Sequence, residues 1–131
     1  VVEVTETALV TNEDAAAEFA RRVTALGCRM ALDDFGTGYG GFSYLKRLPV
    51  ALLKIDREFV RDAVSERGSR HVVRAVVDLA RGFGQRTVAE GVEDGETLEL
   101  LRRLGVDYAQ GFVIARPRPV EDGAPAAAQA A

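Results

Sequence analysis

Eight polar residues stand at the ends of five short apolar runs: Glu3, Asp33 and Asp34, Lys54 and Asp56, Glu90 and Glu93, and Gln110. Six are carboxylates, one is an ammonium and one an amide. If the runs are neighbouring strands, these groups share one rim. Two like unit charges ~4 Å apart repel by about 4 kcal/mol at an effective dielectric near 20, so such a rim stays compact only with cations or protons among its acids. Oxygen-only donors favour Mg²⁺ or Mn²⁺ over zinc or copper. Asp33 and Asp34 are adjacent where an apolar run breaks into Phe-Gly-Thr-Gly, so they can turn toward two ions, or one carboxylate can bridge both. Two metals about 3.5 to 4 Å apart with a lysine nearby suit in-line displacement at phosphorus, and phosphodiester hydrolysis is the natural reaction class. The ions would neutralise the phosphate and lower the pKa of bound water. Lys54 would hold or polarise that water, and Glu90 would ligate a metal or accept a proton.

Each residue alone also has a plainer reading. Glu3 and Glu93 can be solvated loop carboxylates. Lys54, enclosed in Leu-Leu-Lys-Ile-Asp, can snorkel or pair with Asp56. Two charges at the inner end of an apolar run, as at Asp33 and Asp34, are expensive without a purpose. The ensemble is harder to dismiss than its members. His71 is expected on the exposed or flanking side of a helix, and Cys28 as a small buried residue.

The elements that must position these groups alternate from end to end, which argues for a parallel α/β architecture. Strands are expected at Val1–Thr5, Arg29–Asp33, Leu52–Asp56, Thr87–Glu90 and Tyr108–Gly111. Asn12 or Asp14 can cap a helix in which Ala16, Phe19, Ala20, Val23 and Leu26 recur at helical spacing, ended by Gly27. A long helix runs from about Ser69 to Phe83, with Val72, Val73, Val76, Val77, Ala80 and Phe83 as its apolar stripe. A third, Asp94–Leu104, buries Leu98, Leu101 and Leu104 before Gly105. Gly27 precedes Asp33 by six residues and Gly84 precedes Glu90 by six. This weak repeat puts Asp33 and Glu90 in equivalent places at strand carboxyl ends, where parallel sheets and barrels hold their ligands.

Composition bounds the partners. The 131 residues, 47% hydrophobic and 28% charged, read as one ordinary domain able to bury a core without staples. A net charge of −3 with no dense basic stripe argues against a nucleic-acid backbone binder. One cysteine and one histidine preclude an internal disulfide and a Cys/His zinc site, consistent with a reducing, cytoplasmic compartment. No apolar run approaches the ~20 residues of a membrane span. Residues 1–120 are expected to fold, and the Ala-rich Glu121–Ala131 is expected to be a disordered tail. The first residue is Val1, and Val1-Val2-Glu3-Val4 alternates like the middle of a strand, so the chain is expected to begin inside a larger domain.

Gly36-Thr-Gly-Tyr-Gly-Gly41 matches the G-x-G-x-x-G dinucleotide fingerprint, with Asp56 twenty residues past Gly36. Two objections outweigh a nicotinamide site. Asp33 and Asp34 would repel a pyrophosphate not screened by metal, and the helix available before Pro49 is only about two turns long, shorter than the usual crossover. The glycines read as a flexible turn or lid beside the acids.

Glu3-Val-Thr-Glu6-Thr, Asp33-Asp34-Phe-Gly-Thr-Gly-Tyr, Leu53-Lys54-Ile-Asp56-Arg, Val88-Ala-Glu90-Gly-Val-Glu93 and Gln110-Gly-Phe resemble the successive motifs of the EAL domain, from residue 1 to about Pro119. The resemblance implies a partial TIM-type (β/α) barrel of about five parallel strands, and a phosphodiesterase that linearises cyclic di-GMP to pGpG with Mg²⁺ or Mn²⁺. It implies Glu3, Asp33 and Asp34 as metal ligands, Lys54 at the attacking water, and Glu90 as ligand or base. It further implies that Glu6 holds the Asp-Asp loop, that Glu93 and Gln110 complete the metal and water shell, and that Asp56 supports the lysine.

The family's first half, with its Glu-Ala-Leu ligand and a later Asn ligand, has no counterpart here. Five strands of a barrel's eight leave two sheet edges open, so the chain is expected to be unstable, to dimerise, or to belong to a longer polypeptide. Gly40-Gly41 replaces the usual Ser-Ser, and Phe42 a common Leu, in a loop that the family uses for dimerisation and metal-site order. The alternative reading is a catalytically inactive EAL remnant that binds cyclic di-GMP or a partner protein.

Overall fold

The computed structural model of the chain describes residues 1–36 and 42–118, apart from the side chains at positions 9, 10 and 13. The expected glycine lid and the Ala-rich tail lie outside the described residues.

Five strands form one parallel sheet in the order of the sequence. They are β1 (Val2–Thr5), β2 (Met30–Phe35), β3 (Val50–Ile55), β4 (Arg86–Ala89) and β5 (Tyr108–Ala109). The helices are α1 (Glu6–Thr11), α2 (Glu13–Ala25), α3 (Arg57–Asp62), α4 (Arg67–Gly82) and α5 (Gly95–Leu104), with a short 3-10 helix at Phe42–Lys46 before β3. A parallel sheet whose order never reverses, joined by right-handed crossovers, keeps its helices on one face. That is the winding of a barrel segment, whereas a dinucleotide-binding sheet reverses its order partway along.

Met30, Leu32, Leu53, Ile55 and Ala89 belong to one buried cluster with Val73, Val76, Val77 and Ala80 of α4. Side chains alternate along a strand, so residues of the opposite parity, among them Glu3, Ala31, Leu52, Lys54 and Val88, face away from the helices.

Local chemistry explains the boundaries. Asn12 Oδ1 accepts the Ala15 amide at 3.0 Å to start α2, and Asp94 Oδ1 accepts the Thr97 amide at 2.7 Å to start α5. Gly105, at φ +83°, ends α5 in the left-handed conformation that favours glycine. Asp107 Oδ2 then accepts from both the amide and the hydroxyl of Thr87, at 2.8 and 3.0 Å, tying the approach to β5 onto β4.

Some expectations change. α1 and α3 have six residues each, and neither shows an apolar period long enough to read. On α2, Ala20 is buried, but Phe19 and Leu26 are 46% and 83% exposed. The helix meets the core through its small residues Ala16, Ala17 and Ala20, leaving its larger apolar side chains outside. Cys28 is exposed, not buried, because it follows the left-handed Gly27 in the turn between α2 and β2, outside the packed layers.

Candidate functional site

Sheet register assembles the site. Glu3 pairs with Ala31, Ala31 with Leu52, Lys54 with Val88, and Val88 with Tyr108. Asp33, Lys54, Glu90 and Gln110 each stand two residues beyond Ala31, Leu52, Val88 and Tyr108, so they share the face of Glu3. Pairing continues past the strand ends, where the Glu90 amide donates to Ile55 O at 3.2 Å and the Gln110 amide to Ala89 O at 2.9 Å.

Asp34 would point the other way in a regular strand, and a bulge prevents this. From Leu32 to Phe35 β2 advances three residues while β3 advances two, from Leu53 to Ile55. Asp34 takes φ +53°, the one positive value at a non-glycine residue among those described. Such a conformation costs about 1–3 kcal/mol and persists where its surroundings over-determine it. The Asp34 amide also donates to Asp33 Oδ1 at 3.1 Å. The outcome is that Asp33, Asp34 and Glu90 each offer a carboxylate oxygen within 4.8 Å of the others.

Lys54 sits among the acids, 4% exposed. Its Nζ lies 2.7 Å from Glu3 Oε2, 2.9 Å from Asp33 Oδ1 and 2.6 Å from Glu90 Oε1. Burial pushes this ammonium toward losing its proton, but hydrogen bonds to Glu3, Glu90 and Asp33 outweigh it and hold the pKa above the ordinary lysine value. Gln110 Nε2 donates to Glu90 Oε1 at 2.7 Å. Burial raises the pKa of Glu90 against the lowering effect of Lys54. Burial, then the charges of Asp33 and Asp56, raise that of Asp34. The rim remains short of positive charge even with Lys54 in place.

Glu6, the first residue of α1, is buried beneath this rim. Its Oε2 accepts the Gly36 amide at 3.3 Å and its Oε1 the Tyr44 hydroxyl at 2.8 Å.

A family model described as the EAL domain matches residues 1–117. The chain belongs to the EAL domain family. It is 41% identical over 121 residues to the bifunctional diguanylate cyclase/cyclic di-GMP phosphodiesterase MucR of Pseudomonas aeruginosa, covering 92% of this chain and 18% of that protein. It is 40% identical over 118 residues to the cyclic di-GMP phosphodiesterase PdeB of Shewanella oneidensis, covering 90% of this chain and 14% of that protein. The solved MucR phosphodiesterase in complex with c-di-GMP superposes with a TM-score of 0.85 at 42% identity, over 89% of this chain and 47% of that one. The chain therefore spans less than a fifth of these curated relatives and about half of the solved domain.

Within this EAL chain, Glu3, Asp33, Asp34, Lys54, Glu90 and Gln110 come together, Asp56 lies beside Asp34, and Glu93 stands apart. Asp56 Oδ1 caps α3 by accepting the Glu58 amide at 2.7 Å, and its carboxylate is near enough to Asp34 to help raise that residue's pKa. Glu93 is exposed and lines a neighbouring cleft with Arg57, Arg61 and Asp94. Tyr44 escaped the sequence reading, since a tyrosine in an apolar run reads as core and only the fold shows that its hydroxyl reaches Glu6. Among the described residues no helix is long and apolar enough to cross a membrane.

Proposed function

We propose that residues 1–120 form the C-terminal portion of a cyclic di-GMP phosphodiesterase domain and supply one half of a two-metal site that opens the cyclic dinucleotide to pGpG. The observation that carries this reading is the convergence of Asp33, Asp34 and Glu90, with oxygens within 4.8 Å of one another, around the buried Lys54. Their all-oxygen donor chemistry suits Mg²⁺ or Mn²⁺. Asp33, Asp34, Glu90 and Glu3 are the residues that would hold the ions, with Gln110 orienting Glu90. Bound there, divalent cations would neutralise phosphate charge and acidify coordinated water.

The chain's own residues divide the remaining work. Lys54 keeps its proton, so it serves as a hydrogen-bond donor to the attacking water and not as a base. Glu90 is the proton acceptor, because its pKa is raised by burial and its carboxylate is oriented by Gln110. As water attacks phosphorus and one phosphodiester P–O bond breaks, the water's proton passes to Glu90, and the leaving ribose oxygen takes up a proton from solvent to become the free hydroxyl of pGpG. Glu6 holds the Asp-Asp turn, and Asp56 braces the start of α3 below Lys54.

β1 and β5 are the outer strands of the sheet, so completion by further strands of a longer polypeptide or by a second copy is part of the proposal. The test places these residues in one polypeptide with a Glu-Ala-Leu strand and its later Asn, and supplies Mn²⁺ and cyclic di-GMP. Release of pGpG that is lost in Asp33→Asn supports the reading, with no turnover expected from the 131 residues alone. Tight binding without turnover in the completed domain would instead support a non-catalytic binding module.

A further inference from the structure

Among the described residues, both oxygens of the Glu6 carboxylate accept hydrogen bonds, from Gly36 on one side of a segment and Tyr44 on the other. Oε2 accepts the amide of Gly36, two residues past Asp34, and Oε1 accepts the hydroxyl of Tyr44, on the 3-10 helix that leads into β3. Glu6 and Tyr44 are both 2% exposed. A carboxylate so enclosed would otherwise turn toward water, and one rotamer holds it against the Gly36 amide while Tyr44 occupies the other oxygen. Gly36 in turn follows the left-handed Asp34, whose conformation is what sets Asp33 and Asp34 side by side. The ring of Tyr44 is part of the main core cluster, so the hydroxyl is presented from a rigid base.

We propose that Tyr44 is a positioning residue of the acidic site: its hydroxyl fixes Glu6, which fixes the Gly36 amide and thereby the turn that presents Asp33 and Asp34 to a divalent cation. The last step rests on the metal reading given above. Burial, and then the neighbouring Glu6 carboxylate, hold the phenol well above its ordinary pKa, so it stays a donor across the working range. The chain of contact runs from a core tyrosine to the metal ligands without Tyr44 touching them.

The test uses Tyr44→Phe, which removes one oxygen and keeps the ring, beside Leu45→Ala, which opens a cavity on the same 3-10 helix without touching Glu6. Two readouts are taken on the full chain: Mn²⁺ affinity by calorimetry, and exchange of the Gly36 amide by NMR in metal-free protein. Tyr44→Phe is expected to weaken Mn²⁺ binding about ten-fold and to speed Gly36 exchange by a similar factor, the loss expected when an outer hydrogen bond to a ligand-bearing segment is removed. Leu45→Ala is expected to lower Tm while leaving the affinity of the folded protein unchanged. Equal weakening by both variants, or Gly36 exchange unchanged in Tyr44→Phe, overturns the positioning role. If the unaltered chain binds no Mn²⁺, the metal reading fails by itself, and Gly36 exchange still decides whether Tyr44 holds the turn.

Discussion

The ammonium of Lys54 lies 2.6 Å from Glu90 Oε1, the same oxygen that Gln110 holds at 2.7 Å. Glu90 is therefore gripped by one charged and one neutral donor, from β3 and from the end of β5. Lys54 also reaches Glu3 and Asp33, so a single buried cation ties together acids contributed by three parts of the chain. It is the internal counter-charge of the rim, and its loss should be felt in folding as well as in chemistry.

Lys54→Met should destabilise the metal-free protein by about 3 kcal/mol, the range for removing one partner of a buried charge pair. Glu3 is half-exposed and contributes little to this figure, whereas Asp33 and Glu90 are mostly enclosed and carry it. Urea unfolding in the presence of a chelator measures the loss, and added Mn²⁺ should recover part of it by neutralising the same oxygens. Unchanged stability in chelator would show that the ammonium is dispensable to the acids.

Gln110→Leu removes the neutral donor from Glu90 while keeping side-chain bulk. Gln110 is exposed, so unfolding free energy should shift by no more than ~0.5 kcal/mol. Turnover of cyclic di-GMP in the completed domain should fall about ten-fold or more, the usual effect of losing a group that orients a ligand or base. Steady-state kinetics set beside a melting curve separate the two effects.

Asp34→Gly should raise stability by about 1 kcal/mol while reducing Mn²⁺ affinity at least ten-fold. Glycine adopts φ +53° without the steric penalty that aspartate bears, and the change also removes a carboxylate crowded by Asp33 and Asp56. Denaturant melts and calorimetric titration of the same preparation give both numbers. A variant that is destabilised would mean that the bulge is not strained.

The cap of α5 sets an acid limit. Hydrogen bonds from the Thr97 amide and hydroxyl lower the pKa of Asp94 below that of the unfolded chain. A depressed folded pKa means that this group's contribution is fully present above the unfolded value near 4, and is lost as pH falls through the folded value. Asp94→Asn, which keeps one cap acceptor but does not titrate, should therefore flatten the Tm-against-pH curve below about pH 4 and give a Tm below that of the unaltered protein at neutrality, the two curves converging in acid.

Much of this arrangement was legible in the residues. Alternating apolar runs and glycine stops located all five strands, and the acids at their carboxyl ends pointed to one shared rim. The six-residue spacing from Gly27 to Asp33 and from Gly84 to Glu90 placed two of the acids that now meet on Lys54. What could not be read is tertiary. The bulge that turns Asp34 beside Asp33 is a mismatch between two strands, invisible in either one alone. Tyr44 reads as core until a fold brings Glu6 to its hydroxyl. α1 and α3 are too short to show a period, and Asp56, which reads as a strand end, is also the cap of α3.

The central claim is that Asp33, Asp34 and Glu90 share a divalent cation. A crystal grown with Mn²⁺ and examined by anomalous diffraction tests it most directly. The account predicts density at bonding distance from oxygens of all three carboxylates, with Lys54 displaced from at least one of its present partners. Strong density elsewhere, or none at these residues while Lys54 keeps all three contacts at saturating Mn²⁺, would contradict it.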